Sequence, residues 1–361
     1  MQARLKYHFE PWKGWMNDPN GLIFFRGKYH AFFQHYPYAP EWGQMHWGHA
    51  VSEDLLNWTE LPIALFPDRP YENSGGCFSG SAVEKDGVLY LFYTSVSEEM
   101  GQTQSVAVSG DGLTFRKYEN NPVIRRVPPD GSADFRDPKV TKMFGGYYMV
   151  CGSGKDGVGK ILLFASADLL EWTYAGVLLE GAQYGRVLEC PDFFPFGDGY
   201  VLMFSQMGRS THTTAFVYGD FDGERFTPVS VQTPESGPHF YAPQTFAGPD
   251  GRRIMIGWLN SWGKTAGAGA DYIGALSIPR EITMKDGKIR TFPVREAESL
   301  LEETDELVRA GKDSVTVLTD EPGLVLRYDG PVNGVSVLRD TKTIEVFVNG
   351  GEASFSYWFA G

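Results

Sequence analysis

A chain of 361 residues with 42 % hydrophobic content is long enough for one large or two ordinary domains and too apolar to stay disordered. Its formal charge of −13 disfavours nucleic acid and anionic lipid, so neither is expected as a partner. The 14 % aromatic content suits strands, and equally surfaces that stack sugar rings.

The opening segment, "MQARLKYHFEPWKGW", holds no apolar run of signal-peptide length. No stretch approaches the roughly 18 apolar residues of a membrane span. Cys77, Cys151 and Cys190 are odd in number and widely spaced, which reads as reduced thiols. The expectation is a cytoplasmic protein without a membrane partner.

The first distinctive segment is "WMNDPNG", residues 15–21. Neither a helix nor a strand interior favours Asn-Asp-Pro-Asn-Gly, so it reads as a tight turn. Short apolar runs with Gly, Asp or Asn turns follow, the mark of β-hairpins. Each hairpin leads into a recurring segment: "GHAVSEDLLNW" (48–58), "VAVSGDGLTF" (106–115), "LLFASADLLEW" (162–172) and, more loosely, "FVYGDFDGERF" (216–226). A fifth unit begins at "YAPQTFAGPDGRRIMIGWL" (241–259). Units of four short strands at a period of about 50–60 predict an all-β, five-bladed propeller over residues 1–294. After Val294 an acidic stretch, 295–312, predicts a short helix with a solvated face. The strands beyond it, with Asn349-Gly350 as a hairpin turn, predict a small β-sandwich-like module within 295–361 that must pack on the propeller to bury enough core.

Two patterns are decoys. "CGSGKDGVGKILLF" imitates phosphate-binding loops, but no helix follows it, so it reads as a Gly-rich hairpin. His46 and His49 are three apart on a predicted strand and point to opposite faces, so they make no metal pair. No metal and no cofactor is expected.

Three acids stand at or beside the starts of predicted inner strands: Asp18 in "NDPNG", Asp137 in "FRDPKV" and Glu189 in "LECPDFF". They are 119 and 52 residues apart, which places them in the first, third and fourth units, so they can meet only at the propeller axis. A proline follows each within two residues and is expected to hold Asp18 and Asp137 in extended backbone. Converging carboxylates suit glycoside hydrolysis, in which one attacks or activates water and another protonates the leaving oxygen. Mutual repulsion keeps one of them protonated near neutral pH, and Glu189, with the longer reach, is the better proton donor. Arg136 is expected to keep Asp137 ionised and to bond sugar hydroxyls. Trp15, Trp42 and Phe78, near these segments, are read as sugar contacts, whereas Trp58 and Trp172 are read as core.

"WMNDPNG", "HWGHAVSEDLLNW", "CFSGSAV", "FRDPKV", "ECPDFF", "FYAPQTF" and "RRIMIGW" together resemble the β-fructofuranosidases of glycoside hydrolase family 32, from about Tyr7 to Glu281. The resemblance implies a five-bladed propeller followed by a β-sandwich, and a fructose-containing sugar as substrate. It makes Asp18 the nucleophile, Glu189 the general acid/base and Asp137 a transition-state stabiliser. Asn17, Gln34, Trp42, Phe78, Ser79 and Arg136 match the pocket for the terminal fructose, and Tyr241 and Trp258 its wall. An inverting arabinofuranosidase or xylosidase, and a non-catalytic carbohydrate-binding propeller, are the competing readings. Three features depart from the family pattern: a short C-terminal module, Val187-Leu188 where an aromatic is common, and Tyr272 where many relatives have Trp. The last two are expected to alter subsites beyond the fructose. Arg186, Arg209 and Lys264 are basic residues without an assigned place, and oligomeric state is open.

Overall fold

Three of the repeated segments close the same turn. Ser52 Oγ donates to Asp54 Oδ1, whose carboxylate accepts from the Leu56 and Asn57 amides. Ser166 and Asp168 repeat this with Leu170 and Glu171, and Ser109 and Asp111 with Leu113 and Thr114. The residue after the Asp is left-handed in each copy, with φ of 69° at Leu55, 80° at Leu169 and 77° at Gly112. Trp58 and Trp172 then donate their indole N–H to the Leu55 and Leu169 carbonyls. The motif is thus a side-chain-capped turn between the third and fourth strands of a sheet.

The structure, a computed structural model, describes residues 3–259, 262, 266, 267 and 269–359. The first sheet holds β1 (Gly14–Phe25), β2 (Lys28–Tyr36), β3 (His46–Ser52) and β4 (Trp58–Leu65). The second holds β5 (Gly76–Lys85), β6 (Val88–Ser97), β7 (Gly101–Ser109) and β8 (Arg116–Lys117). The third runs β9 (Phe135–Met143), β10 (Gly146–Lys155), β11 (Val158–Ser166) and β12 (Thr173–Gly181). The fourth runs β13 (Leu188–Phe196), β14 (Gly199–Gln206), β15 (Thr214–Phe221) and β16 (Phe226–Gln232). The fifth combines β17 (Phe240–Ala247) and β18 (Arg253–Leu259) with β20 (Ala275–Leu276), β21 (Arg280–Lys285) and β22 (Lys288–Pro293), while β19 (Tyr272–Ile273) crosses over to pair in parallel with β1.

The first strands of consecutive sheets pack in a closed ring, β1 on β5, β5 on β9, β9 on β13, β13 on β17, and β17 on β1. Apolar layers fill the gaps between neighbouring sheets. Phe32 packs toward the second sheet with Leu91 and Tyr93, while Phe33, next in sequence, packs toward the fifth with Ile254 and Ile256. Both faces of the inner strands are buried, which is why strands such as "HAFFQHY" read as continuous apolar runs. This is an all-β propeller. The Gly-rich decoy is the β10–β11 hairpin, turning at Asp156-Gly157. His46 and His49 both lie on β3 with separate partners: His46 bonds the Gln44 carbonyl and His49 the His30 ring.

Arg295–Leu300 forms the short helix, of the tight 3₁₀ kind. The C-terminal module follows as two three-stranded sheets, β23 (Val308–Ala310), β24 (Ser314–Leu318) and β25 (Val325–Asp329), then β26 (Val335–Arg339), β27 (Thr343–Val348) and β28 (Ala353–Trp358). Val315, Val317 and Leu326 of one sheet share a core with Val346, Phe355 and Tyr357 of the other, a small β-sandwich. Asn349 and Gly350 are left-handed, as their hairpin requires.

A buried ionic network joins module to propeller. Arg280 donates to Glu235 Oε2 at 2.7 Å and to Glu345 Oε2 at 3.1 Å, and His8 contacts Asp340 at 2.8 Å and Glu345 at 2.7 Å. Burial lowers the His8 pKa, but these two carboxylates outweigh it and raise it to about 9. Among the described residues no helix is long and apolar enough to cross a membrane.

Candidate active site

Every inner strand slips register against its neighbour at one level of the ring. The slips fall between Met16 and Pro19 on β1, Phe78 and Gly80 on β5, Arg136 and Lys139 on β9, Glu189 and Asp192 on β13, and Tyr241 and Gln244 on β17. A bulge inserts a residue, bends the strand and re-aims a side chain. Here the bulges turn side chains of all five inner strands toward the axis. The backbone differs from the expectation built on proline. Asp137 is left-handed with φ of 64°, as are Cys190 at 46° and Ala242 at 48°, each preceding a proline. The bulge overrides the preference for extended backbone at these positions.

Asp18 is buried among hydrogen-bond donors. Ser79 Oγ donates to Oδ2 at 2.6 Å and Asn17 Nδ2 to Oδ1 at 3.0 Å. Asn17 is itself oriented by the Trp15 indole N–H at 2.6 Å. Asp137 Oδ2 accepts the Cys190 amide at 2.8 Å. The Cys190 thiol lies 3.5 Å from both Asp18 Oδ2 and Asp137 Oδ2, bridging the two acids. Burial pushes that thiol well above its ordinary pKa, so it stays neutral and acts as a donor. Glu189 is more exposed: Arg136 binds Oε1 through Nη2 at 2.9 Å and Nε at 3.1 Å, and Tyr241 donates its hydroxyl to Oε2.

A cavity of about 300 Å³ is lined by Asn17, Asp18, Gln34, Trp42, Phe78, Ser79, Arg136, Asp137 and Glu189. Trp42 meets Phe78 edge-on at 6.2 Å, forming an aromatic wall. Three of the expected contacts have other places. Trp15 and Trp258 lie outside this lining and pack against each other at 5.9 Å beneath it. Tyr241 instead lines a neighbouring, larger cavity with Glu189. Gln102, Asp134 and Trp262 complete the smaller lining and were missed in the sequence. Asp134 and Gln102 both accept from Arg136 Nη1, at 2.7 and 3.3 Å. A pattern signal did exist for the fifth strand: Ala242-Pro243 repeats the Xaa-Pro of Asp137-Pro138 and Cys190-Pro191.

The charges settle differently from expectation. Arg136 forks onto Glu189 and Asp134 and makes no hydrogen bond to Asp137. Burial pushes the Asp137 carboxyl up to about 7, with Glu189 and Asp18 adding to the rise, and the attraction of Arg136 does not cancel it. Asp137 is therefore close to half-protonated near neutrality. Burial also raises Asp18, against the hydrogen bonds from Ser79 and Asn17. A reaction that uses Asp18 as a carboxylate should therefore show an acid limb of kcat/KM above the ordinary Asp value of 3.8. Ser79→Ala removes a bond that favours the carboxylate and should move that limb further up; a pH–rate profile shifted down would refute this.

Tyr272 faces away from both cavities. Its hydroxyl bonds Glu10 at 2.9 Å and Arg4 lies 4.3 Å over its ring, so this departure supports the N-terminal segment and not a subsite. Val187 and Leu188 are buried and line neither cavity. Arg186 and Arg209 line the larger cavity, and Lys264 lies outside the described residues.

The sequence matches the glycosyl hydrolases family 32 N-terminal domain over residues 8–293. It is 37 % identical to a sucrose-6-phosphate hydrolase of Zymomonas mobilis, across 95 % of this chain and 71 % of that protein. It is 39 % identical to a raffinose invertase of Escherichia coli, across 87 % of this chain and 69 % of that protein. The solved structure of a Bombyx mori GH32 beta-fructofuranosidase is similar with a TM-score of 0.87 at 32 % identity, covering 99 % of this chain and 89 % of that one. A propeller with carboxylates gathered at its axis and these likenesses define the protein as a glycoside hydrolase. More particularly, the chain belongs to glycoside hydrolase family 32.

Proposed function

We propose that the protein is a retaining β-fructofuranosidase releasing terminal β-D-fructofuranosyl units from sucrose, sucrose 6-phosphate or fructo-oligosaccharides. One observation carries the reading: Asp18, Asp137 and Glu189, from three different sheets, line one cavity of about 300 Å³. The Bombyx mori enzyme, in a substituted form, has been solved in complex with sucrose.

In the proposed reaction Asp18 attacks C2 of the fructosyl ring while Glu189 gives its proton to the leaving oxygen. The C2–O bond breaks, the leaving sugar departs as an alcohol, and a fructosyl ester remains on Asp18. Glu189, now a carboxylate, takes a proton from water, whose oxygen attacks C2 and frees Asp18. Retention calls for the two carboxyls at about 5–5.5 Å. Asp137 and Arg136 hold ring hydroxyls and tighten on them as the ring flattens toward the oxocarbenium-like transition state. The Trp42–Phe78 wall packs the apolar face of the sugar. The chain divides at Val294 into the propeller, 1–294, and a linker with the sandwich, 295–361. Three buried, unpaired thiols favour a cytoplasmic setting.

Fructose release measured on sucrose, its 6-phosphate, 1-kestose, inulin and levan tests the activity, and no release from any of them would defeat it. Early anomeric NMR separates this reading from an inverting hydrolase. Glu189→Ala should lower turnover of sucrose by about 10²–10⁴-fold, and much less for a fructoside with a good leaving group. Equal losses on both substrates would remove Glu189 from the acid role.

A further inference from the structure

A second cavity, of about 960 Å³, opens directly beside the first and shares Glu189 and Trp262 with it. Taking Glu189 as the acid of the proposed reaction, the scissile bond lies where the cavities meet. The smaller then holds the fructosyl ring, and the larger receives the leaving group. If about 300 Å³ accommodates one ring, about 960 Å³ is room for roughly three.

The walls of this cavity come from both parts of the chain. The propeller contributes Arg186, Arg209, Ser210 and His239, and the C-terminal module contributes the turn Asp320-Glu321-Pro322. The two walls are tied together. Trp358 donates its amide to His239 Nδ1 at 2.9 Å, the Tyr357 ring lies 4.6 Å from the His239 ring, and the Tyr357 hydroxyl donates to Asp320 at 2.6 Å. β28 therefore sets the distance between the propeller wall and the turn, so the width of the cavity is built in and not left to a loop.

Its described lining carries both signs of charge. Two guanidinium groups on the propeller side face two carboxylates on the module side, and Glu189 is a third carboxylate where the cavities meet. His239 accepts at Nδ1 and so carries its proton on Nε2, as the neutral tautomer. Sugar hydroxyls both donate and accept, and they use such a mixed lining fully. A phosphate, at about −1.5 to −2 near pH 7, gains from the arginines but meets the acids.

We infer that the C-terminal module is a specificity element: with the propeller it forms a site for neutral leaving groups of two or more sugar units, with Glu321 and Asp320 on its module wall. The inference rests on the fructosidase reading and goes beyond it, because it ranks substrates.

The test is kcat/KM for sucrose, sucrose 6-phosphate, 1-kestose and nystose, on the wild type and two variants. Glu321→Gln removes one module-side charge, and Ser210→Trp fills the opposite wall. For the wild type, nystose and 1-kestose should exceed sucrose 6-phosphate by at least fivefold. In each variant the ratio of nystose to sucrose should fall at least fivefold, with KM for nystose rising more than KM for sucrose. An unchanged ratio in both variants, or a wild-type preference for sucrose 6-phosphate, overturns the inference while leaving the fructosidase reading intact. Fructose from no substrate at all sinks that reading first. The second variant lies on the other wall, so misfolding of one does not remove the test.

Discussion

Asp18→Asn is expected to lower kcat for fructose release by about 10⁴-fold or more, since the proposed nucleophile belongs to a catalytic unit that works as a whole. The same change should leave the melting temperature unharmed, within a few degrees of wild type or above it. Burial works against the charged form of Asp18, raising its pKa despite the bonds from Ser79, Asn17 and Cys190. An amide of the same shape keeps an acceptor for Ser79 and sheds the cost of holding a charge away from water. A buried carboxylate is held at the expense of stability, and the variant separates that cost from the proposed role in turnover. Substantial turnover with native-like melting would remove Asp18 from the nucleophile role.

Arg280→Met is expected to have the largest effect on stability, about 3–5 kcal/mol, lowering Tm by on the order of 10 °C. Arg280 is fully buried and bonds Glu235, Glu345, Ser354 and Ser356, joining the fifth sheet to β28 and β27. Removing it strands carboxylates where water cannot reach them. Arg327→Met is the control, because its pair with Asp329 is exposed and worth at most about 1 kcal/mol. Equal melting of the two variants would show that the network does not hold the module. The network also has a pH signature. His8 is raised to about 9, above its ordinary 6.5, so its contribution is complete below pH 6.5 and is lost as pH rises through 9. Glu345 moves the other way. Burial raises it, but Arg280 and His8 outweigh that and hold it at about 2, so its contribution is present above pH 4.5 and is lost as pH falls toward 2. Thermal stability should therefore be greatest between about pH 5 and 6.5. His8→Gln should flatten the alkaline side of that profile, and an unchanged alkaline slope would exclude His8 as its source.

Local chemistry was legible because local hydrogen bonds write it. The S-x-D-x-x-x-W turns, the hairpins and the Asn349-Gly350 turn depend on residues within a few positions of one another, so their spacing alone reports them. The order Asp18, Asp137, Glu189 at intervals of whole repeats also placed three acids on inner strands, because a propeller converts sequence period into convergence at an axis. What chain order could not convey was the environment each acid meets there. Arg136 reaches Glu189, 53 residues away, and Asp134, but not its neighbour Asp137. On a strand, adjacent side chains point apart, and the bulges on β9 and β13 lie where Arg136 and Glu189 meet. Cys190 reads in the sequence only as a reduced thiol, yet its amide bonds Asp137 and its thiol lies between Asp18 and Asp137, at a residue whose φ is left-handed. The tertiary structure alone also brought Asp320 and Glu321 beside Glu189, across more than 130 residues of sequence. The sequence by itself determined the strands, their period and the three carboxylates, since these follow from composition and short-range pairing. Protonation, pairing and the shape of the larger cavity were decided by the fold, since burial and charge depend on neighbours that only the closed ring and the module supply.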